Sequence, residues 1–396
     1  MPRILHLGVG NFFRAHQAWY TQHCPGWTIT GVSFRSPAIR DGLVAQDYDY
    51  ALVIKGAAGT RIERITCIDD ILVAPEAPKD VVAAIASDSF DVITLTVTEK
   101  AYHLRSDGTL ELNDPAIRTD LAGGAMTVIG YLARGLAARQ APVTVLSCDN
   151  LPENGRKLAH AVQGFCSAAG LATKAWATFP SSMVDRITPA TTDAIRAEAR
   201  DPMAVPTETF TEWVVEDDFA AARPDWPGVQ WVGDVAPHEM RKLRMLNGAH
   251  SYLAYAGTQA GHSFVHQAIA DPHLRTTARA LMQEAAETLP DAVRSQTETY
   301  VTALLDRFAN PALEHRLRQI AMDGSKKLPI RILATLQDRQ GQASPALQSA
   351  VFAWVDFVRA EVAAGRPLDD PRRDDLIAAC HSDNPDAALC ALIGMA

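Results

Sequence analysis

Residues 3–10, RILHLGVG, constrain the fold more than any other stretch. A short apolar run ends in two glycines one residue apart, and the segment after them, roughly 14–23 (RAHQAWYTQH), has a helical pattern. Strand, glycine turn and helix in that order open a dinucleotide-binding unit. Gly8 permits the tight turn, and Gly10 lets the backbone approach a pyrophosphate. Asn11 and Phe12 complete the turn, where the helix start directs its free amides at phosphate. Phe13 replaces the third glycine of the fingerprint, which predicts looser packing of helix on strand. Ordinary turns also contain Gly-x-Gly, so the weight rests on its position between strand and helix.

The segments that follow alternate in the same way. A second strand at 27–35 ends in Ser33-Phe34-Arg35-Ser36. An acid there would hold the ribose 2′-hydroxyl of NAD, and an arginine can accommodate the 2′-phosphate of NADP. No acid is present, and Arg35 is equally readable as a solvated charge. NAD is the expected cofactor, with NADP left open. Segments 51–55 and 61–66 read as paired strands around Gly56 and Gly59. Helices are expected at 79–86 and near 125–138. Buried strands are expected at 91–98 (DVITLTVT) and 142–147 (PVTVLS). The fold class is therefore α/β, a doubly wound parallel sheet of Rossmann type followed by a mostly α-helical domain. Ligands of such sheets sit beyond the carboxyl ends of the strands. Glu99, Lys100, Asp149 and Asn150 fall at those ends, although Asp-Asn and Asn-Gly, as at Asn154, are also common turn formers.

Texture changes after about 180. Segment 180–235 is rich in proline and tryptophan, with strands in WVVED and VQWVGDV, and helical periods dominate from about 237. The expected division is 1–185 for the dinucleotide-binding domain and 186–396 for a helical substrate and catalytic domain that could close over the sheet's mouth. Its first helix contains Lys242-Leu243-Arg244-Met245-Leu246-Asn247-Gly248-Ala249-His250-Ser251. Apolar residues 243, 245, 246, 249, 252 and 253 form its buried stripe. On an α-helix Lys242 and Asn247 stand roughly 140° apart, and Asn247 and His250 roughly 60° apart. The last two can share a cleft, and the long lysine stem can reach round to join them. A lysine, an amide and an imidazole in one pocket can move a proton on and off a hydroxyl. A solvated lysine, a packing asparagine and a core histidine would read the same way. Further on, Asp323-Gly324-Ser325-Lys326-Lys327-Leu328-Pro329 reads as a polar turn before a helix, its lysines facing substrate or water.

Bulk properties exclude several classes. A net charge of -9 argues against nucleic acid. No apolar run reaches membrane-spanning length, and the chain enters its first strand without a leader. The six cysteines form no Cys-x-x-Cys pair, and no Cys/His cluster has zinc-ligand spacing. Scattered thiols predict a reducing, cytoplasmic setting, no disulfide frame and no metal. Partners are expected to be small molecules, with the chain a monomer or small homo-oligomer.

The motifs GVGNFFRAHQA, TVTEKAYH, SCDNLPENG, TFPSSMVDRITP, FTEWVVEDDF, KLRMLNGAHS, RFANP and DGSKKLP, in that order, resemble the polyol-specific long-chain dehydrogenases, the mannitol dehydrogenase family. The likeness covers most of the chain. It implies metal-free oxidation of a secondary alcohol with a nicotinamide cofactor. The family's Lys-x4-Asn-x2-His motif falls on Lys242, Asn247 and His250. By resemblance Lys242 is the general base, and Asn247 and Asn150 are amides holding the substrate oxygen. His250 orients the hydroxyl, and Glu239 passes the proton between Lys242 and water. Lys327 is an implied substrate contact, and Arg331, clustered with Lys326 and Lys327 after the Gly-Ser turn, is a further candidate for holding a carboxylate. The chemistry is consistent with these roles: a lysine of ordinary pKa about 10.4 acts as a base near neutrality only when its environment lowers that value.

Two departures bear on the substrate. The chain is short beside many family members. Gln319 stands where mannitol-active members carry arginine, and GVSFRSP with QIAMDGSKKLP is more similar to the fructuronate reductase branch, which interconverts D-fructuronate and D-mannonate. The expectation is a sugar-acid oxidoreductase, with a mannitol 2-dehydrogenase next. A non-catalytic dinucleotide-binding regulator would have no use for Lys242, Asn247 and His250 together.

Overall fold

The computed structural model describes residues 2–124, 126–172 and 177–395. Strand Arg3–Leu7 lies inside a six-stranded, wholly parallel sheet. The spatial order is Ile68–Val73, Thr28–Ser33, Arg3–Leu7, Val92–Leu95, Val143–Ser147, Ala177–Thr178. This is the 3-2-1-4-5-6 order of a doubly wound dinucleotide fold. Strand order reverses between Arg3–Leu7 and Val92–Leu95 in the middle of the sheet, and Gly8 follows at the carboxyl end of the first of them.

Alternating side chains supply both faces of the sheet. Leu5, Leu7, Ile93 and Val145 join a core with Val81, Ile85, Ile129, Leu132, Leu158 and Val162 from helices Pro78–Ala86, Val128–Ala138 and Asn154–Ala169. Ile4, Ile29, Val92 and Leu146 join the opposite core with Tyr20, Trp213 and Trp226. Ala125, inside the helix expected near 125–138, lies outside the described residues.

Strand Ile68–Val73 has no counterpart in the sequence reading. Asp69 and Asp70 interrupt its apolar run, which hides it. Asp69 accepts hydrogen bonds from Thr28 Oγ1 (2.8 Å) and Thr30 Oγ1 (2.9 Å), so the acid sits on the neighbouring strand's hydroxyls. The expected pair at 51–55 and 61–66 is the antiparallel hairpin Tyr50–Gly56 and Gly59–Ile65, which lies outside the main sheet.

The boundary expected at 185/186 moves. The compact units are Met1–Ala236 and Pro237–Ala396. Val205–Glu208 adds to strand Tyr50–Gly56, and Glu212–Glu216 pairs with Ser182–Asp185 and Gln230–Val232. The proline- and tryptophan-rich stretch thus supplies strands to the first unit, and its tryptophans fill that unit's core.

The second unit is helical. Gly248–Gln259 is buried almost all round, as a central helix must be. Helices Pro272–Ala286, Leu317–Ile320 and Pro345–Ala363 pack around it. DGSKKLP is not a turn: Gly324–Leu328 is already helical and runs through Pro329 into a π-helical turn, Pro329–Leu333, and on to Ala334–Asp338. Pro329 has no amide hydrogen, and its ring would clash with the carbonyl four residues back, so the turn widens there. Among the described residues, no helix is long and apolar enough to cross a membrane.

Candidate active site

In the first unit the glycine turn is built as its residues predict. Gly8 has φ +106°, and a Cβ there would lie 2.1 Å from the carbonyl oxygen of Thr96. Only glycine fits that position. Gly10 differs: its backbone is extended (φ −102°, ψ −178°), and a Cβ would meet nothing within 4 Å. The open space in front of Gly10 suits close approach of a pyrophosphate. Helix Asn11–Ala15 starts at once, three residues earlier than expected, and a break at His16 separates it from Gln17–Gln22. Phe13 is buried and stacks on His6 of the first strand, ring centroids 3.7 Å apart. A packed ring fills the place of the third glycine.

Asn11 is tied into the fold. Its side-chain oxygen accepts from Arg14 Nη2 (2.7 Å), and its amide donates to Thr191 Oγ1 (3.2 Å). Phe12 is half-buried with its ring 5.0 Å from that of His16. Arg35 is exposed just past strand Thr28–Ser33, in a turn closed by Ser33 Oγ donating to Ser36 O (2.8 Å).

Glu99 and Lys100 are exposed in the short 3-10 helix Glu99–Tyr102 and line a cavity of about 500 Å³ with His103, Arg105, Leu151 and Lys157. Asn150 is exposed directly beyond strand Val143–Ser147. Its neighbour Asp149 is buried and accepts from Val97 N and Tyr102 OH, both at 2.7 Å. Burial pushes the Asp149 carboxyl up to about 7 despite those donors. Asp149 ties together the ends of two strands, a structural role the sequence did not assign. Asn154 is structural too: its amide donates to Asp149 O and Ser182 O and its oxygen accepts from Ser182 N.

In the second unit the Lys242, Asn247 and His250 motif does not lie on a plain α-helix. Helix Ala236–Arg241 carries Glu239, a π-helical turn spans Lys242–Asn247, and Gly248–Gln259 continues with His250. In a π turn the hydrogen-bonded partners are i and i+5, so residues five apart stack on one face. Lys242 and Asn247 are five apart. The roughly 140° expected between them on an α-helix is thereby largely removed by the backbone, without a detour of the lysine stem. Glu239 precedes Lys242 by three residues, which places them as neighbours along the helix. Lys242, Asn247 and Glu239 are half-buried.

His250 is buried, with its ring 4.6 Å from Phe308 and 5.4 Å from His315. Burial, then the charges of His315, Arg307 and Arg331, hold its imidazole well below the usual range. A neutral ring both donates and accepts a hydrogen bond, as orientation of a hydroxyl requires. Lys327 is half-buried on the Gly324–Leu328 helix and donates to Ile320 O (3.3 Å). Burial, then the Arg331 charge, lower its pKa, and Asp323, Asp369 and Asp370 offset part of that. Gln319 is exposed and lines a separate cavity of about 340 Å³ with Arg318, Trp354 and Glu361.

Arg331 Nη1 donates to Ser251 Oγ (3.1 Å) and to the carbonyl of Asn247 (3.5 Å). Arg244 of the first π turn donates to Thr288 Oγ1 (2.6 Å) and pairs with Asp338. Neither Arg244 nor Ser251 stands out in the sequence. Pro329 inside a helical pattern was the one available signal for irregular backbone in this region. Among the described residues, no group of three or more His, Cys, Asp or Glu is placed to hold a metal ion.

A substrate-free D-sorbitol dehydrogenase structure superposes with a TM-score of 0.88 at 28% identity, covering 99% of this chain and 91% of that one. The Pseudomonas fluorescens mannitol 2-dehydrogenase in ternary complex with NAD and D-mannitol gives a TM-score of 0.81 at 32% identity, covering 98% and 86%. These define the class, a two-domain oxidoreductase on a dinucleotide-binding fold. Residues 2–228 match the mannitol dehydrogenase Rossmann domain and 234–391 the mannitol dehydrogenase C-terminal domain. The chain belongs to the mannitol dehydrogenase family. The Escherichia coli D-mannonate oxidoreductase is 39% identical, over 93% of this chain and 82% of its own length. A mannitol 2-dehydrogenase from Pyrenophora tritici-repentis is 36% identical, over 94% and 72%.

Proposed function

We propose that this enzyme interconverts the secondary alcohol of a sugar acid and its ketone, D-mannonate and D-fructuronate before other pairs. The observation that carries the chemistry is the π turn that sets Lys242 and Asn247 on one face of the helix run holding His250. NAD is the cofactor; when bound it accepts the hydride. The fit rests on Gly8, which admits no side chain, and on Gly10, which leaves space for a pyrophosphate. Glu99, Lys100 and Arg35 stand beyond strand ends of the same sheet and are assigned to the cofactor's surroundings.

Lys242 removes the hydroxyl proton, and Glu239 relays it to water. Asn247 and Asn150 donate to the oxygen as negative charge develops, the task of an oxyanion hole. His250, neutral at working pH, orients the hydroxyl. A base and amide donors suffice for this step, so activity is expected to survive exhaustive chelation. Loss on chelation with recovery on added zinc would overturn the metal-free assignment.

The acid substrate is supported by Lys327 and Arg331. Each is partly withdrawn from water, and the charge of Arg331 disfavours that of Lys327. A carboxylate between them would relieve that repulsion and use cationic donors suited to it. The likeness to the D-mannonate oxidoreductase points the same way, while the mannitol 2-dehydrogenase matches keep the neutral polyol as second reading. Initial rates with NADH against fructuronate, tagaturonate and fructose separate the two. The expected result is a higher kcat/KM for a keto acid; a higher value for fructose reverses the order.

A further inference from the structure

The two π-helical turns of the second unit are fastened to each other. Lys242–Asn247 and Pro329–Leu333 pack together, and each helical run sends one arginine to the other. Arg331 donates to the Asn247 carbonyl (3.5 Å) and to Ser251 Oγ (3.1 Å), and Ser251 Oγ donates to the same carbonyl (3.0 Å). Arg244 pairs with Asp338, at the far end of the run that carries Arg331. Contacts 244 to 338 and 247 to 331 run in opposite senses along the two segments, as for antiparallel neighbours. Gly248 sits where the segments meet: a Cβ there would lie at ordinary contact distance from Ile332 (3.5 Å) and the carbonyl of Arg331 (3.6 Å).

A wide turn inside a helix gives up regular backbone bonding, so outside partners decide whether it persists. Here those partners hold the carbonyl of Asn247, at the end of the turn, and the side chain of Arg244, inside it. We propose that Arg331 and Arg244 are positioning residues: this reciprocal clasp keeps the first turn in its π form and so keeps Lys242 and Asn247 on one face. The inference rests on the catalytic reading of Lys242 and Asn247 but not on the sugar-acid reading. It gives Arg331 a task that every substrate of the enzyme shares.

The test compares Arg331→Ala, Arg331→Lys and Arg244→Ala with the unaltered enzyme on a keto acid and on a neutral ketose. Measured quantities are kcat, KM, NADH affinity and the primary deuterium isotope effect on kcat. A misplacement near 1 Å costs up to about 100-fold in rate. The clasp predicts that kcat falls by tens-fold or more with both substrates in Arg331→Ala. NADH affinity stays unchanged, and the isotope effect rises as chemistry becomes limiting. Arg331→Lys, which keeps one donor to the carbonyl, recovers part of the rate, and Arg244→Ala shows the same pattern more weakly. A rise in KM for the keto acid alone, with kcat held, overturns the clasp and leaves Arg331 a carboxylate contact. A kcat within a few-fold of the unaltered enzyme on both substrates also overturns it. Should Arg331→Ala fail to fold, Ser251→Ala removes the other side-chain donor to the same carbonyl, and a kcat unchanged there and in Arg244→Ala overturns the proposal equally.

Discussion

Lys242→Ala is expected to lower alcohol oxidation by about 10²- to 10⁴-fold, the usual contribution of a positioned acid or base. NADH binding, which belongs to the other unit, and the melting profile are expected to stay near those of the unaltered enzyme. A small exogenous amine should restore part of the rate by occupying the vacated space. Oxidation by the unaltered enzyme should rise with pH as the base loses its proton, and that limb should vanish in the variant. His250 cannot supply the limb, because burial keeps its imidazole neutral well below that range. Asn247→Ala serves as the contrast: it removes a donor to the developing oxyanion, with an expected loss of about 10²- to 10³-fold that no amine rescues. Turnover by Lys242→Ala within a few-fold of normal would remove this helix from the catalytic site.

Gly10→Val is expected to weaken NADH binding roughly 10- to 100-fold while leaving the protein folded. The position has ordinary extended dihedrals and open space for a side chain, so the substitution strains nothing in the free protein. It places methyl groups where the pyrophosphate must come close. Loss of one charge-assisted bond there, about 1.5–3 kcal/mol, weakens binding roughly 10- to 100-fold. Gly8→Ala is a different perturbation, since the positive φ and the Thr96 carbonyl make the folded turn itself unfavourable. NADH fluorescence titration with a parallel thermal melt reads both. Normal NADH affinity in folded Gly10→Val would move the cofactor away from this turn.

The sheet was legible because its strands carry their own evidence. RILHL, DVITLTVT and VTVLS are apolar on both faces, and only a strand covered on both sides uses such a run. Ile68–Val73 escaped notice because its aspartates answer partners invisible in one dimension: Asp69 accepts from Thr28, Thr30 and Arg3 of the neighbouring strands, and Asp70 from Tyr48. The unit boundary was misplaced for a similar reason. Val205–Glu208 is a strand only because Tyr50–Gly56, about 150 residues earlier, offers it a free edge.

For the candidate site, sequence alone determined the chemical inventory: a glycine turn after the first strand, acids and amides at strand ends, and a lysine, an asparagine and a histidine within nine residues. Those features are local, set by which side chains occur and at what spacing. Tertiary structure decided how they face. A spacing of five means opposite flanks on an α-helix and one face on a π turn, and local propensity does not choose between them. That choice is tied to long-range partners, Arg331 on the Asn247 carbonyl and Asp338 on Arg244, both more than 80 residues away. A π turn is the rarer form, so bonds from outside the segment are needed to hold the geometry.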